Sequence, residues 1–67
     1  MNDTKVKIHS DEEETIVLEL LTKLGYEWLD GSKPKAWIPS RDSGSFVCFP
    51  YNLIIYEDKN ITWEDWS

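Results

Sequence analysis

The chain has 67 residues, of which 13 are acidic and seven basic, so its formal net charge is −6. A chain of this length forms one domain and buries only about 60% of the surface that its unfolded form exposes. A single cysteine, Cys48, and a single histidine, His9, exclude an internal disulfide and the usual zinc sites. We therefore expect one domain over residues 1–67 that needs no metal and no cofactor.

Charge and hydropathy also restrict the location and the partners of the chain. Its negative field repels nucleic acid and anionic membranes, and it favours a partner with a basic surface. The N-terminus has no apolar signal region, and no apolar run approaches the roughly 20 residues that cross a bilayer. Because paired cysteines are absent, a reducing compartment is favoured. We expect a cytoplasmic protein that contacts neither membrane nor nucleic acid directly.

The N-terminal half predicts a strand followed by an amphipathic helix. Residues 5–9 alternate polar and apolar side chains, which is typical of a half-exposed strand. Ser10 and Glu13 form a capping box, in which the serine hydroxyl accepts the Glu13 amide. Gly25 is well suited to end the helix. Apolar residues at helical spacing predict a single buried stripe on a helix over residues 11–24. That stripe comprises Ile16, Val17, Leu20, Leu21 and Leu24.

The C-terminal half predicts short strands separated by turns. The β-like runs are residues 26–29, 36–38, 46–49 and 53–56. The Asp30-Gly31 turn predicts a hairpin in which Trp28 and Trp37 form a cross-strand pair. Thr62 is a candidate cap for one helical turn at the chain end. The predicted fold is α+β: a small antiparallel sheet of three to five short strands with one helix packed on one face.

Two short motifs stand at the helix end and at the chain end. The first is Leu24-Gly25-Tyr26-Glu27-Trp28, followed by Gly31 and Trp37, and the second is Ile61-Thr62-Trp63-Glu64-Asp65-Trp66. They resemble a recurrent type of small phage-encoded protein, in which a helix ending in Leu-Gly-Tyr-x-Trp leads into short strands and the last strand ends in Ile-Thr-x-x-Asp-aromatic. Some phage proteins of similar size block host defences, including CRISPR nucleases. The resemblance implies a phage origin and an inhibitory role, and it transfers no functional residue.

The first candidate site is an acidic and aromatic surface that binds a partner. Its residues are Asp11, Glu12, Glu13, Glu14, Glu57, Asp58, Trp63, Glu64, Asp65 and Trp66. Carboxylates steer the encounter with a basic partner, and tryptophans anchor it. A structural interpretation stands beside this one, because acidic residues in a first helical turn complement the helix dipole and terminal tryptophans can close a core. The first hypothesis is a non-catalytic phage-type protein that binds and blocks a host factor, such as a defence or nucleic-acid-handling protein.

The second candidate site combines basic and aromatic side chains. Its residues are Trp28, Lys33, Lys35, Trp37, Arg41 and Tyr51. Such a group can stack a base and neutralise a phosphate, so the second hypothesis is an oligomeric sponge for a nucleotide-type ligand. The alternative is a solvated loop with ordinary charges. A third hypothesis is an assembly protein whose strand edges pair between subunits. No nucleophile with a positioned base is evident, so we expect no enzymatic activity and no catalytic residue.

Overall fold

The computed structural model describes residues 3–43 and 49–65, and in it a helix packs on one face of a four-stranded sheet. The predicted α+β class is confirmed. The elements in chain order are β1 (Asp3–Ile8), α1 (Asp11–Lys23), β2 (Glu27–Trp28), α2 (Pro39–Asp42), β3 (Tyr51–Tyr56) and β4 (Asn60–Asp65).

The sheet is mixed, with the strand order β1-β3-β4-β2. β3 pairs antiparallel with both β1 and β4, as predicted, whereas the two-residue strand β2 runs parallel to β4. The amide of Glu27 donates to the carbonyl of Lys59 at 3.0 Å, and the amide of Leu29 donates to the carbonyl of Ile61 at 3.2 Å. The prediction of an antiparallel sheet is therefore wrong for β2. The chain leaves α1 beside β4, and β2 pairs with that strand instead of forming a hairpin with residues 36–38.

Both ends of α1 follow the local sequence signals. The Ser10 hydroxyl accepts the amide of Glu13 at 3.3 Å, as the capping box predicts. The carboxylate of Glu13 accepts the backbone amide of His9 at 3.1 Å, one residue before the expected partner. Gly25 has a φ of 86°, and its amide donates to the carbonyl of Thr22 at 3.2 Å. Only glycine adopts this left-handed conformation at low cost, so the chain leaves the helix here.

The buried face of α1 differs from the predicted stripe. The fully buried positions are Glu14, Leu18 and Leu21. Three residues of the predicted stripe are exposed instead: Ile16 at 66%, Leu20 at 54% and Leu24 at 52%. The helix carries two neighbouring apolar stripes, and the one that contains Leu18 meets the sheet. Spacing alone did not separate them, because the buried stripe includes a carboxylate that finds hydrogen-bond donors in the core.

The core lies between α1 and one face of the sheet. Its buried residues are Ile8, Leu18, Leu21, Trp28, Tyr51, Leu53 and Ile61. The strand register explains the set, since side chains alternate between the two faces of a sheet. The other face carries polar side chains around Ile54, which is 8% exposed. There the Glu64 carboxylate lies 3.5 Å from the Lys5 ammonium and 3.4 Å from the Asn52 side-chain nitrogen.

Two further predictions for the C-terminal half are corrected. Residues 36–38 form a turn before α2 and no strand, so Trp28 and Trp37 are not cross-strand partners. β4 is extended through Asp65, so Thr62 caps no helical turn; the strand pairs residue by residue with β3. The run at residues 46–49 lies outside the described residues except for its last member, and Trp66 also lies outside them.

Candidate interaction site

Five aromatic rings form a continuous row from the edge of the sheet to its centre. Successive centroids lie 5.7, 6.3, 5.9 and 5.9 Å apart in the order Trp28, Trp37, Trp63, Tyr51 and Phe49. These spacings fall within the range of favourable aromatic pairs. Trp28 and Tyr51 are buried, while Trp37 and Trp63 are only half-buried. Two partly exposed indoles, those of Trp37 and Trp63, therefore pack against the buried rings of Trp28 and Tyr51.

A short turn fixes the buried end of this row. The indole N–H of Trp28 donates to the carbonyl of Pro34 at 3.2 Å, and its backbone amide donates to the carbonyl of Ser32 at 2.8 Å. The Asp30 carboxylate accepts the amide of Ser32 at 2.9 Å, and this backbone hydrogen bond holds the pKa of Asp30 below its ordinary value. Asp30 consequently keeps its negative charge to lower pH than a free aspartate does.

The half-buried indoles line a cleft of about 250 Å³, which we name the Trp cleft. Its lining residues are Trp28, Leu29, Asp30, Trp37, Ile61, Thr62 and Trp63. Small-molecule sites usually enclose about 300–1,000 Å³, so the Trp cleft is small for a nucleotide. Among the described residues that line it, Asp30 alone is charged.

A buried hydrogen-bond network supports the segment that carries Trp37. The Tyr51 hydroxyl donates to the Glu14 carboxylate at 2.7 Å, and the Ser40 hydroxyl donates to the same carboxylate. Burial first, and then the hydrogen bond to Glu14, raise the pKa of Tyr51 above its ordinary value. The network joins α1 to β3 and α2, and Ser40 lies three residues after Trp37. The network therefore fixes α2, which begins two residues after Trp37, against the core.

This network corrects the role expected for Glu14. Sequence reasoning grouped Glu14 with the exposed carboxylates that contact a partner, but its side chain is buried, with only 3% of the residue exposed. A buried carboxylate requires hydrogen-bond donors, and Tyr51 and Ser40 supply them. Glu14 is therefore a core residue that is unavailable for contact with a partner.

The remaining acidic residues divide between the two ends of the sheet. Residues 11–13 are exposed at the start of α1. Because Ile8 pairs with Tyr51 and Tyr51 with Asp65, Asp65 lies at this same end. Glu57 and Asp58 are exposed in the turn between β3 and β4, at the opposite end. The predicted acidic surface is thus two patches, and the one that includes Asp65 adjoins Trp63.

The second candidate site is not assembled around the aromatic rings. The Lys35 ammonium lies 3.8 Å from a Glu19 carboxylate oxygen, and the Arg41 guanidinium lies 2.7 Å from Asp42. The hydrogen bond from Arg41 lowers the pKa of Asp42. Lys33 is exposed. None of these three basic residues lines the Trp cleft, so its described lining offers no cation for a phosphate.

Sequence reasoning missed part of the Trp cleft. Leu29, Asp30, Ile61 and Thr62 come together because β2 and β4 pair across 33 residues of chain. No local sequence pattern predicts a parallel pairing between strands so far apart in the chain. Leu29 is 62% exposed, and nothing in the local sequence distinguished it from a core leucine.

Two classes of site are not found in the described part of the chain. Residues 3–43 and 49–65 contain no group of three or more metal-binding side chains. Within the same ranges no helix has the length and apolarity that crossing a bilayer requires.

Comparison with known proteins adds no relative. No family model, no curated protein and no solved structure matches this chain. The likeness to small phage proteins therefore depends on the two short motifs alone. Function has to be inferred from the chemistry of the site.

Proposed function

We propose that this chain is a non-catalytic interaction protein that binds a host protein and blocks it by occupying a basic surface. The observation that carries this proposal is the position of two half-buried indoles, Trp37 and Trp63, beside exposed carboxylates. Interface hot spots are enriched in tryptophan, and complementary charge increases the rate of association. The Trp cleft then supplies the contact, and the acidic residues around it supply the steering.

The Trp cleft has negative charge in its lining and beside it. Asp30 is part of the lining, and Asp65 follows Trp63 on the same face of β4, whereas Glu64 lies on the opposite face beside Lys5. A lysine or arginine of a partner can lie at the rim of the cleft, against the exposed part of an indole and near Asp30 or Asp65, an arrangement that adds a cation–π attraction to the ion pair. A partner with a basic surface is therefore the expected class.

The proposed host factor is a defence or nucleic-acid-handling protein. Proteins that bind nucleic acid carry basic grooves that neutralise phosphates, and an acidic protein can occupy such a groove. The resemblance of the two sequence motifs to small phage proteins supports a phage origin. We place this function ahead of the nucleotide sponge because Lys33, Lys35 and Arg41 do not line the Trp cleft.

A pair of matched variants tests the proposal. Glu64→Gln/Asp65→Asn and Glu57→Gln/Asp58→Asn each remove two negative charges, but at opposite ends of the sheet. Tagged protein is used to capture partners from host lysate, which are identified by mass spectrometry and then titrated as purified proteins. We expect the first variant to lose affinity and the second to retain most of it.

Salt provides a second measurement on the same purified partner. Binding should weaken as the salt concentration rises from about 0.05 M to about 0.5 M, since exposed charges are then screened. Affinity that is independent of salt and equal in both variants would contradict the proposal.

A further inference from the structure

β4 extends beyond its short neighbour β2. The pairing of β2 with β4 reaches Ile61, whereas β4 continues to Asp65. Among the described residues, no strand pairs with the outer side of β4 over residues 62–65. The outer side of β2, by contrast, is closed by its own turn, because the Trp28 amide and carbonyl bond to Ser32 and Gly31.

Strand geometry shows which backbone groups this edge offers. In an antiparallel pair, successive residues direct their N–H and C=O groups alternately to one side of the strand and to the other. The Ile61 carbonyl points outward, since it accepts the Leu29 amide. Two and four residues later, the N–H and C=O groups of Trp63 and Asp65 point outward as well.

We propose that the partner contributes an extended segment of alternating apolar and basic residues, which adds to the outer edge of β4 as a further strand. This inference rests on the proposed function and specifies how the partner binds. Addition of a strand to an open sheet edge is a common mode of peptide recognition: main-chain hydrogen bonds give affinity, and pockets for alternate side chains give specificity.

The two faces of the sheet dictate the alternation. The Trp63 side chain lies on the side of α1, where it contacts Trp37, so the added residue opposite Trp63 enters the Trp cleft and is apolar. Its neighbours along the added strand lie on the other face, beside Glu64. That carboxylate has Lys5 as its ion-pair partner, at 3.5 Å, and both side chains are about half exposed. A basic residue of the partner can approach it from the open side.

Charge also indicates which sheet edge, β1 or β4, the partner uses, and whether the partner is a second copy of this chain or a different protein. The other outer strand, β1, exposes Lys5 and Lys7 and so repels a basic segment. A second copy of this chain would bring Glu64 and Asp65 against the same residues of the first copy, and like charges at a strand pair are destabilising. The open edge of β4 therefore suits a basic strand from a different protein.

A synthetic peptide provides the direct test. The probe is an N-acetylated, C-amidated peptide that alternates arginine and valine, and its control replaces arginine by glutamate. Protein amide shifts and hydrogen exchange are followed by NMR during titration. We expect the arginine probe to shift and protect the Trp63 and Asp65 amides while the β1 amides stay unchanged. Absence of binding at millimolar probe, protection on β1 instead, or dimerisation without probe would overturn the proposal.

Variants at one position isolate the backbone contribution. Asp65→Asn and Asp65→Pro both remove the charge, but only proline removes the outward N–H while sparing the bonds to β3. We expect Asp65→Pro to bind the probe about 2- to 12-fold more weakly than Asp65→Asn, the equivalent of one net hydrogen bond. Equal affinity of the two variants, with unchanged circular dichroism, would contradict strand addition.

The two proposals fail in different ways. If the host partner binds Asp65→Pro and Asp65→Asn equally but releases Glu64→Gln/Asp65→Asn, strand addition is wrong and the acidic, aromatic contact stands. If the host partner is indifferent to all three variants, the proposed function is wrong as well.

Discussion

β1 and β4 each have a side that no described strand fully covers, but the chemistry of the two edges is opposite. β1 begins with the exposed Asp3 and Thr4, and over residues 5–8 it alternates exposed lysines with inward apolar residues. β4 ends in a half-buried tryptophan followed by two carboxylates, next to the Trp cleft. Lysine is a common means of keeping a strand edge from pairing. One edge therefore carries exposed lysines, and the other carries the features on which the proposed binding of a basic, partly apolar segment depends.

The largest expected effect comes from Trp28, which connects the β4 edge to the core. Trp28→Ala removes a side chain that is 6% exposed and should lower the free energy of unfolding by about 3–5 kcal/mol. A domain of this length has about 3–10 kcal/mol in total, so much of the variant should be unfolded. Urea denaturation measures the change, and Leu29→Ala is the matched exposed control. A loss below about 1 kcal/mol would show that the Trp cleft does not depend on Trp28.

A smaller effect is expected when the support beneath the Trp cleft is weakened. Tyr51→Phe removes the hydroxyl that donates to Glu14 and should cost about 1–3 kcal/mol at neutral pH, since the carboxylate loses a buried donor. Tyr56→Phe provides the same chemical change on the other face of the sheet. Urea denaturation should show little change for that control.

The same tyrosine predicts a dependence on pH. The pKa of Tyr51 is higher in the folded state than its ordinary value of 10.0, so folding favours the protonated phenol. Its contribution to stability is complete below pH 10 and is lost as the pH rises above that value. Denaturation at several alkaline pH values should therefore show a fall in stability that Tyr51→Phe reduces. An unchanged pH profile in that variant would contradict the buried network.

The smallest effect is expected on the protected edge. Lys5→Ala removes the ion pair with Glu64. The Lys5 and Glu64 side chains are 59% and 45% exposed, so the free energy of unfolding should change by less than about 1 kcal/mol. Binding of the arginine–valine probe should become slightly tighter, since Glu64 loses its internal partner. Calorimetric titration compares the variant with the wild type. A marked loss of probe binding would place the probe on β1 and remove the distinction between the edges.

Local signals predicted the local parts of this fold. Ser10 and Gly25 defined α1 because caps act within one turn of the helix. The buried face of that helix was predicted only in part: Leu21 is buried as expected, but Leu18 and Glu14 were missed because they meet partners that are distant in the chain. Contact between Trp28 and Trp37 was predicted as a hairpin pair, and it arises instead from a turn folded over the sheet. Parallel pairing of β2 with β4 had no local signal.

The candidate site divides in the same way. Trp63, Glu64 and Asp65 were recognisable as an aromatic and acidic cluster near the chain end, but the sequence did not decide whether Trp63 faces the core or the solvent. Their neighbours in the Trp cleft were not, because the tertiary pairing of β2 with β4 brings them together. The outer stripe of α1, with Leu20 at its centre, is also exposed and is a rival surface for the partner.

Affinity of the captured partner for Trp37→Ala and Leu20→Ala tests the central claim most directly. Trp37 is part of the Trp cleft, and Leu20 lies on the exposed face of α1. With folding of both variants verified by circular dichroism, the dissociation constant should rise by about 30-fold or more for Trp37→Ala, as for an interface hot spot. It should change by less than about 3-fold for Leu20→Ala. The opposite ranking would place the partner on the helix and contradict the assignment of the Trp cleft.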